Sequence, residues 1–139
     1  MDDPAADKEA IERLLCEYAF RLDAGQFERF AELFRDGVWL DHHGYDAVLA
    51  WVSANIYRYD GIPLTQHVVS NVSIDLDGDS ARAMSYLTVV QGTPEGGRLD
   101  VITAVCYEDT FVRTDQGWAF RERLPARRMV GDNSRHRRA

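Results

Sequence analysis

The chain has 139 residues, 45% of them hydrophobic and 28% charged, and carries a net charge of −7. That length fits one domain with its own core, and no run approaches the roughly 18 apolar residues of a membrane span. A net negative chain is a poor match for nucleic acid, whose phosphates require a basic face. Lys8 is the only lysine and falls in the first turn of the first predicted helix, so Schiff-base chemistry is not expected. Cys16 and Cys106 are far apart, fit no CxxC or zinc pattern, and read as reduced core thiols. The acidic stretch Met1 to Ala10 lacks the layout of a signal peptide, which points to the cytoplasm.

Asp3-Pro4 opens the first helix, a capping acid followed by proline at the first helical position. Ile11, Leu14, Leu15, Tyr18, Ala19 and Leu22 recur at helical spacing, and Gly25 stops the helix. A shorter helix follows with Phe27, Phe30, Ala31, Leu33 and Phe34 as its buried face, ending at the Asp36-Gly37 turn. Val38 to Asp41 reads as a short strand, and Tyr45, Val48, Leu49, Val52 and Ile56 as the stripe of a third helix.

After Pro63 the period changes to alternation. Four long strands are predicted: Leu64 to Leu76, Ala81 to Gln91, Leu99 to Arg113 and Trp118 to Arg128. Asp77-Gly78-Asp79 and Asp115-Gln116-Gly117 supply hairpin turns. Helices first and hairpins afterwards give an α+β class. Arg121 to the end holds seven arginines against Glu122 and Asp132. The last three arginines fall after Gly131 in a basic tail expected to be disordered, which sets a domain of residues 1–131 and a tail of 132–139.

On the strand through Thr65-Gln66-His67, alternation puts His67, Val69 and Asn71 on one face. A buried histidine and asparagine need hydrogen-bond partners, and histidine is the side chain suited to proton transfer near neutral pH. A catalytic histidine and a satisfied core histidine are both open at this point. Asp23 lies at the edge of the first helix's stripe, at the end where the macrodipole opposes a carboxylate. It can cap the second helix through the Gly25 or Gln26 amide, or reach across to His67. Tyr18 and Tyr107 are tyrosines on apolar faces whose hydroxyls need partners if buried. Asp41-His42-His43 alternates faces in a strand, so no metal site is expected there. No G-x-S-x-G, P-loop or GxGxxG occurs.

The segment Tyr18-Ala-Phe-Arg-Leu-Asp23-Ala-Gly-Gln-Phe27, then Leu33-Phe34, Thr65-Gln66-His67 through Asn71, and Asp115-Gln116-Gly117-Trp118 with Arg123 resembles the SnoaL-like branch of the nuclear transport factor 2-like superfamily. The agreement runs over roughly residues 7 to 128. It implies a cone-shaped α+β barrel, three N-terminal helices packed on a strongly curved antiparallel sheet around a pocket. The lyases of that superfamily, scytalone dehydratase and bile-acid 7α-dehydratase among them, pair an aspartate at the end of the first helix with a histidine on the TQH-like strand. Asp23 and His67 match those positions, and Tyr18 matches a tyrosine of the bile-acid enzymes. The chain departs from the pattern at Gln91, where some dehydratases carry a second acid or histidine. It departs again at His42, in place of a tyrosine, and at Tyr107, in place of an inward asparagine.

The resemblance implies a lyase of the dehydratase type, or an isomerase, that needs no cofactor or metal and acts on a small cyclic apolar carbonyl compound. A polyketide cyclase, an epoxide hydrolase, or a non-catalytic binding or dimerisation module are the alternatives on the same scaffold. His67, Asp23 and Tyr18 are the expected catalytic residues, and Asn71, Tyr107, Gln91, Trp39, Trp51 and His42 the substrate-binding ones. Ile102, Ala104 and Cys106 alternate on the outer face of their strand, which a homodimer would cover. No membrane or nucleic-acid partner is expected.

Overall fold

The computed structural model describes residues 3–138; the outermost ends of the expected domain and tail lie outside them. Helix α1 (Pro4–Asp23) begins where the Asp3 carboxylate accepts from the Ala5 and Ala6 amides, both at 3.2 Å. Its stripe of Ile11, Leu15, Tyr18, Ala19 and Leu22 is buried. Fully burying each large side chain is worth roughly 1.5–3 kcal/mol, so packing rather than intrinsic propensity holds this helix. Gly25 ends it with φ +71°, and a Cβ there would lie 2.1 Å from the Gly61 carbonyl oxygen. Glycine therefore serves both the left-handed turn and a close approach to the 59–62 turn.

Helix α2 (Phe27–Glu32) buries Phe27, Phe30 and Ala31, and Leu33 and Phe34 follow into the core. Strand β1 (Val38–Trp39) and strand β2 (His42–His43) form a tight hairpin where one longer strand is expected. Leu40 breaks it with φ 56°. Helix α3 (Gly44–Asn55) packs Val48 and Val52 inward.

Strands β3 (Thr65–Asp77), β4 (Ser80–Gly92), β5 (Leu99–Thr114) and β6 (Gly117–Val130) form an antiparallel meander within one sheet of order β2-β1-β6-β5-β4-β3. The chain is thus α+β, with helices on a curved, open sheet. One pairing differs from the antiparallel expectation. β1 runs parallel to β6, with Val38 opposite Glu122 and Trp39 opposite Arg123, so the sheet is mixed. A two-residue strand carries no alternation from which its direction could be read. Register shifts at Ser70/Ser73, Val89/Val90, Cys106/Tyr107 and Thr110/Phe111 bend the long strands around the helices.

The core is aromatic on the helical side, with Phe34 stacked on Phe120 at 4.9 Å and Tyr18 5.1 Å from Phe30. At the other end of α1, Asp7 accepts two bonds from the Arg113 guanidinium and one from Trp118 Nε1, which ties the helix to the β5–β6 hairpin. Ile102, expected on the outer face, is the extra residue of the β5 bulge and joins the buried core, whereas Tyr86 and Met129, which pair with Cys106 and Ala104, stay exposed. Cys16 is exposed on α1, contrary to its reading as a core thiol.

Residues 132–138 are not a detached tail. The Tyr57 amide donates to the His136 carbonyl at 2.9 Å, the Arg138 amide to Asn55 at 3.0 Å, and Ile56 bridges to Arg137. Arg135 reaches Asp100 at 2.6 Å. Backbone pairing with the chain just past α3 anchors a segment whose composition resembles a solvated run. No helix among the described residues is long and apolar enough to cross a membrane.

Candidate active site

The close approach at Gly25 places the last turn of α1 against the first residues of β3. There Asp23 is held on three sides. Its Oδ1 accepts from Thr65 Oγ1 at 2.8 Å and lies 2.6 Å from His67 Nδ1, and its Oδ2 accepts from the His67 amide at 2.8 Å. These bonds offset the unfavourable helix dipole. The alternative cap is not made, since the Gly25 and Gln26 amides donate to the Leu22 and Arg21 carbonyls instead. In the tautomer whose Nδ1–H donates to the carboxylate, Nε2 is the ring nitrogen left without that bond, and His67 lines the wall of an inner cavity.

Tyr18, Trp39 and Tyr107 share that wall. Trp39 Nε1 donates to the Tyr18 hydroxyl at 3.1 Å, and the same hydroxyl shares a hydrogen bond with Tyr107. Burial, reinforced by Tyr107, holds the Tyr18 hydroxyl well above the usual phenol range, although Arg123 and the Trp39 bond oppose the shift. Tyr18 is therefore protonated at neutral pH.

Three expected site residues lie elsewhere. Asn71 is exposed: with φ 53° it sits inside the β3 bulge, which reverses the alternation so that Val72, Ile74 and Leu76 turn inward instead. Gln91 is buried, but its amide nitrogen lies 2.9–3.1 Å from the Pro63, Leu64 and Gly92 carbonyls and holds the start of β3 rather than a ligand. His42 lies outside the inner cavity, its ring 5.7 Å from Trp39 and 5.4 Å from Trp51.

Two features were not anticipated. Arg123 is wholly buried, its guanidinium 4.3 Å from the Tyr18 ring centre and 3.8 Å from that of Tyr107. Its Nη1 donates to Asp109 at 3.2 Å, and burial pushes the Asp109 carboxyl up to about 6 against the pull of Arg123. Arginine at an inward strand position is the sequence signal for this pair, and a lone charge does not name its partner. The second is His136, which the basic run around it conceals. It is 7% exposed, on the cavity wall, with its ring centre 6.0 Å from that of His67. Nδ1 of His136 has no hydrogen-bond partner.

Burial, then the neighbouring His67 and Arg137, lower the His136 pKa from 6.5 to about 4. A freed imidazole takes up its proton first, so closure contributes fully above about pH 6.5 and weakens as pH falls toward 4. The difference is on the order of 3 kcal/mol. Hydrogen exchange at the Tyr57 amide, compared with an interior β4 amide, is expected to lose protection over that window. In His136→Gln the pH dependence is expected to vanish, and a pH-independent wild type would refute the assignment.

The inner cavity has about 80 Å³, roughly half the ~150 Å³ of a cavity that binds benzene. It opens past Leu40, Trp51, Arg128 and Arg137, which also line an outer groove of about 450 Å³ with Asp41, His42, Leu124 and Pro125. The inner space suits the reacting atoms of a ligand whose remainder extends outward.

Comparison with known proteins agrees with this architecture. A solved protein from Novosphingobium aromaticivorans, described as NTF2-like with a cystatin-like fold, superposes with a TM-score of 0.71 at 23% identity, over 90% of each chain. Another from that organism, proposed to be a scytalone dehydratase, gives 0.67 at 24% identity over 91% of this chain and 89% of its own. An uncharacterised protein of Mycobacterium tuberculosis is 26% identical over 129 residues, 86% of this chain and 84% of its own length. Residues 3–124 match the SnoaL-like domain, and the chain belongs to that family.

Proposed function

We propose that this chain is a lyase of the dehydratase type that uses its own side chains to remove water from a β-hydroxy carbonyl compound. The observation that carries the reading is the Asp23–His67 pair, bonded at 2.6 Å through Nδ1 so that Nε2 is left as a base on the cavity wall.

His67 Nε2 takes the proton α to the carbonyl. Electron density moves onto the carbonyl oxygen, where the hydrogen-bonded Tyr18 and Tyr107 hydroxyls supply a donor. Arg123, packed against the Tyr18 and Tyr107 rings, adds a fixed positive potential where that charge develops. Asp23 stabilises the imidazolium and holds its orientation. The β carbon–oxygen bond then breaks, and His67 returns its proton to the departing hydroxyl to form water. Return of the proton to carbon instead would make the same site an isomerase. An epoxide hydrolase would need a carboxylate open to a nucleophilic water, whereas Asp23 is committed to three bonds and Asp109 is sealed beside Arg123.

The test uses 3-hydroxycyclohexanone, whose dehydration gives cyclohexenone with a new ultraviolet band. Wild type is expected to form the enone, and in deuterated water to exchange the α protons of cyclohexanone, faster than His67→Ala. Equal rates in both assays would sink the reading.

A further inference from the structure

His136 meets the inner cavity beside the base, its ring centre 6.0 Å from that of His67. The segment that carries it is held by backbone bonds to residues 55 and 57, in which the imidazole takes no part. The residue is 7% exposed, and its Nδ1 is sealed from solvent without a hydrogen-bond partner among the described residues. A buried polar ring that bonds nothing in the protein is costly, and an apolar side chain would fill the same place at less cost. Among buried groups a stranded N–H is rarer than a stranded acceptor, so the sealed Nδ1 carries the lone pair and Nε2 the proton. With its pKa lowered to about 4, chiefly by burial, the ring is neutral near pH 7. His67 has the opposite character, because in the tautomer bonded to Asp23 its Nε2 accepts. One ring is a donor and the other an acceptor. Centres 6.0 Å apart leave room for one oxygen bonded to both rings, since such an oxygen lies roughly 4 Å from each centre.

Resting on the proposed dehydration at His67, we propose that His136 is a second catalytic residue, a neutral donor whose Nε2–H holds the departing hydroxyl oxygen. The α proton goes to His67 Nε2 and its electron pair to the carbonyl oxygen. As that pair returns to form the carbon–carbon double bond, the β carbon–oxygen bond breaks with its electrons left on oxygen. That oxygen accepts from His136 while the charge develops, then takes the proton from His67 and leaves as water. His136 keeps its own proton throughout. The ligand class this selects carries an uncharged hydroxyl β to its carbonyl, and a ketone without that hydroxyl leaves His136 unbonded.

Two reactions separate His136 from His67. Exchange of the α protons of cyclohexanone in deuterated water has no leaving group and calls on the base alone. Conversion of 3-hydroxycyclohexanone to cyclohexenone calls on both histidines. His136→Leu, which removes the donor, is expected to lower dehydration by about 10²-fold and exchange far less. His136→Gln, whose amide can donate, is expected to recover part of the dehydration rate. Exchange also reports an intact site, so a general loss of structure would lower both reactions together. Losses of equal size in the two reactions, or no loss of dehydration, would overturn the role of His136 and leave the base standing. A wild type that catalyses neither reaction would take both readings down. His67→Ala keeps the test open where the His136 variants do not fold, because the hydroxyketone persists in it. In that protein, with labelled histidines, the ring nitrogen signals of His136 are expected to move further with 3-hydroxycyclohexanone than with cyclohexanone. An equal response to the two ketones would overturn the proposal.

Discussion

His67→Ala is expected to lower turnover by about 10²–10⁴-fold on any substrate found for the site, with KM little changed. The interaction removed belongs to proton transfer in the transition state rather than to ground-state binding. Asp23→Asn is expected to do comparable damage by another route. The Asp23 carboxylate can only accept from His67 Nδ1, whereas an amide can present its NH₂ there and favour the tautomer with Nε2 protonated, which is no base. The two losses are not expected to add, because base and orienting acid act as one unit. Stability separates this from a purely structural pair. Nε2 faces a cavity, so removing the ring leaves Asp23 still bonded to Thr65 Oγ1 and the residue 67 amide. Little change in Tm is therefore expected. A drop equivalent to roughly 1–3 kcal/mol with turnover retained would identify His67 as a core histidine.

The second large effect is on folding. Arg123→Ala is expected to destabilise the chain by about 3–5 kcal/mol, a large share of the roughly 5–15 kcal/mol that holds a domain together. The truncation strands Asp109, whose side chain is inaccessible to solvent, and empties the space between the Tyr18 and Tyr107 rings. Replacing both members, Arg123→Met with Asp109→Leu, removes the buried charges together and is expected to recover most of that loss. Urea denaturation of the single and double variants measures both, and a double variant as unstable as the single one would contradict this account. The double variant also serves the mechanism: stable but slow, it would show that Arg123 supports the chemistry electrostatically.

Helical stripes and strand alternation were legible because each is a local period imposed by a buried face. The same periods placed Asp23 at the rim of its helix and His67 on an inward strand face, and the structure brings the two together. What escaped depends on partners distant in sequence. Gln91 looked like a ligand-facing residue until its amide was found among the carbonyls of 63 and 64. His136 looked solvated because its neighbours are arginines, while the backbone of residues 56 and 57 holds it in place. The direction of β1 depends on how the helices deliver it to β6, which two residues cannot encode.

The bulge near Asn71 changes how β3 must be counted. Up to residue 69 the odd positions face inward, and from 72 the even ones do. Parity along this strand is consequently a property of each half, and one extra residue lets a single strand present His67 to a ligand and Val72, Ile74 and Leu76 to the packed interior. An alignment that slides a gap through this region without honouring the bulge would assign the wrong face to every position beyond it. It would read the apolar side chains that anchor the strand as solvent-facing ornaments.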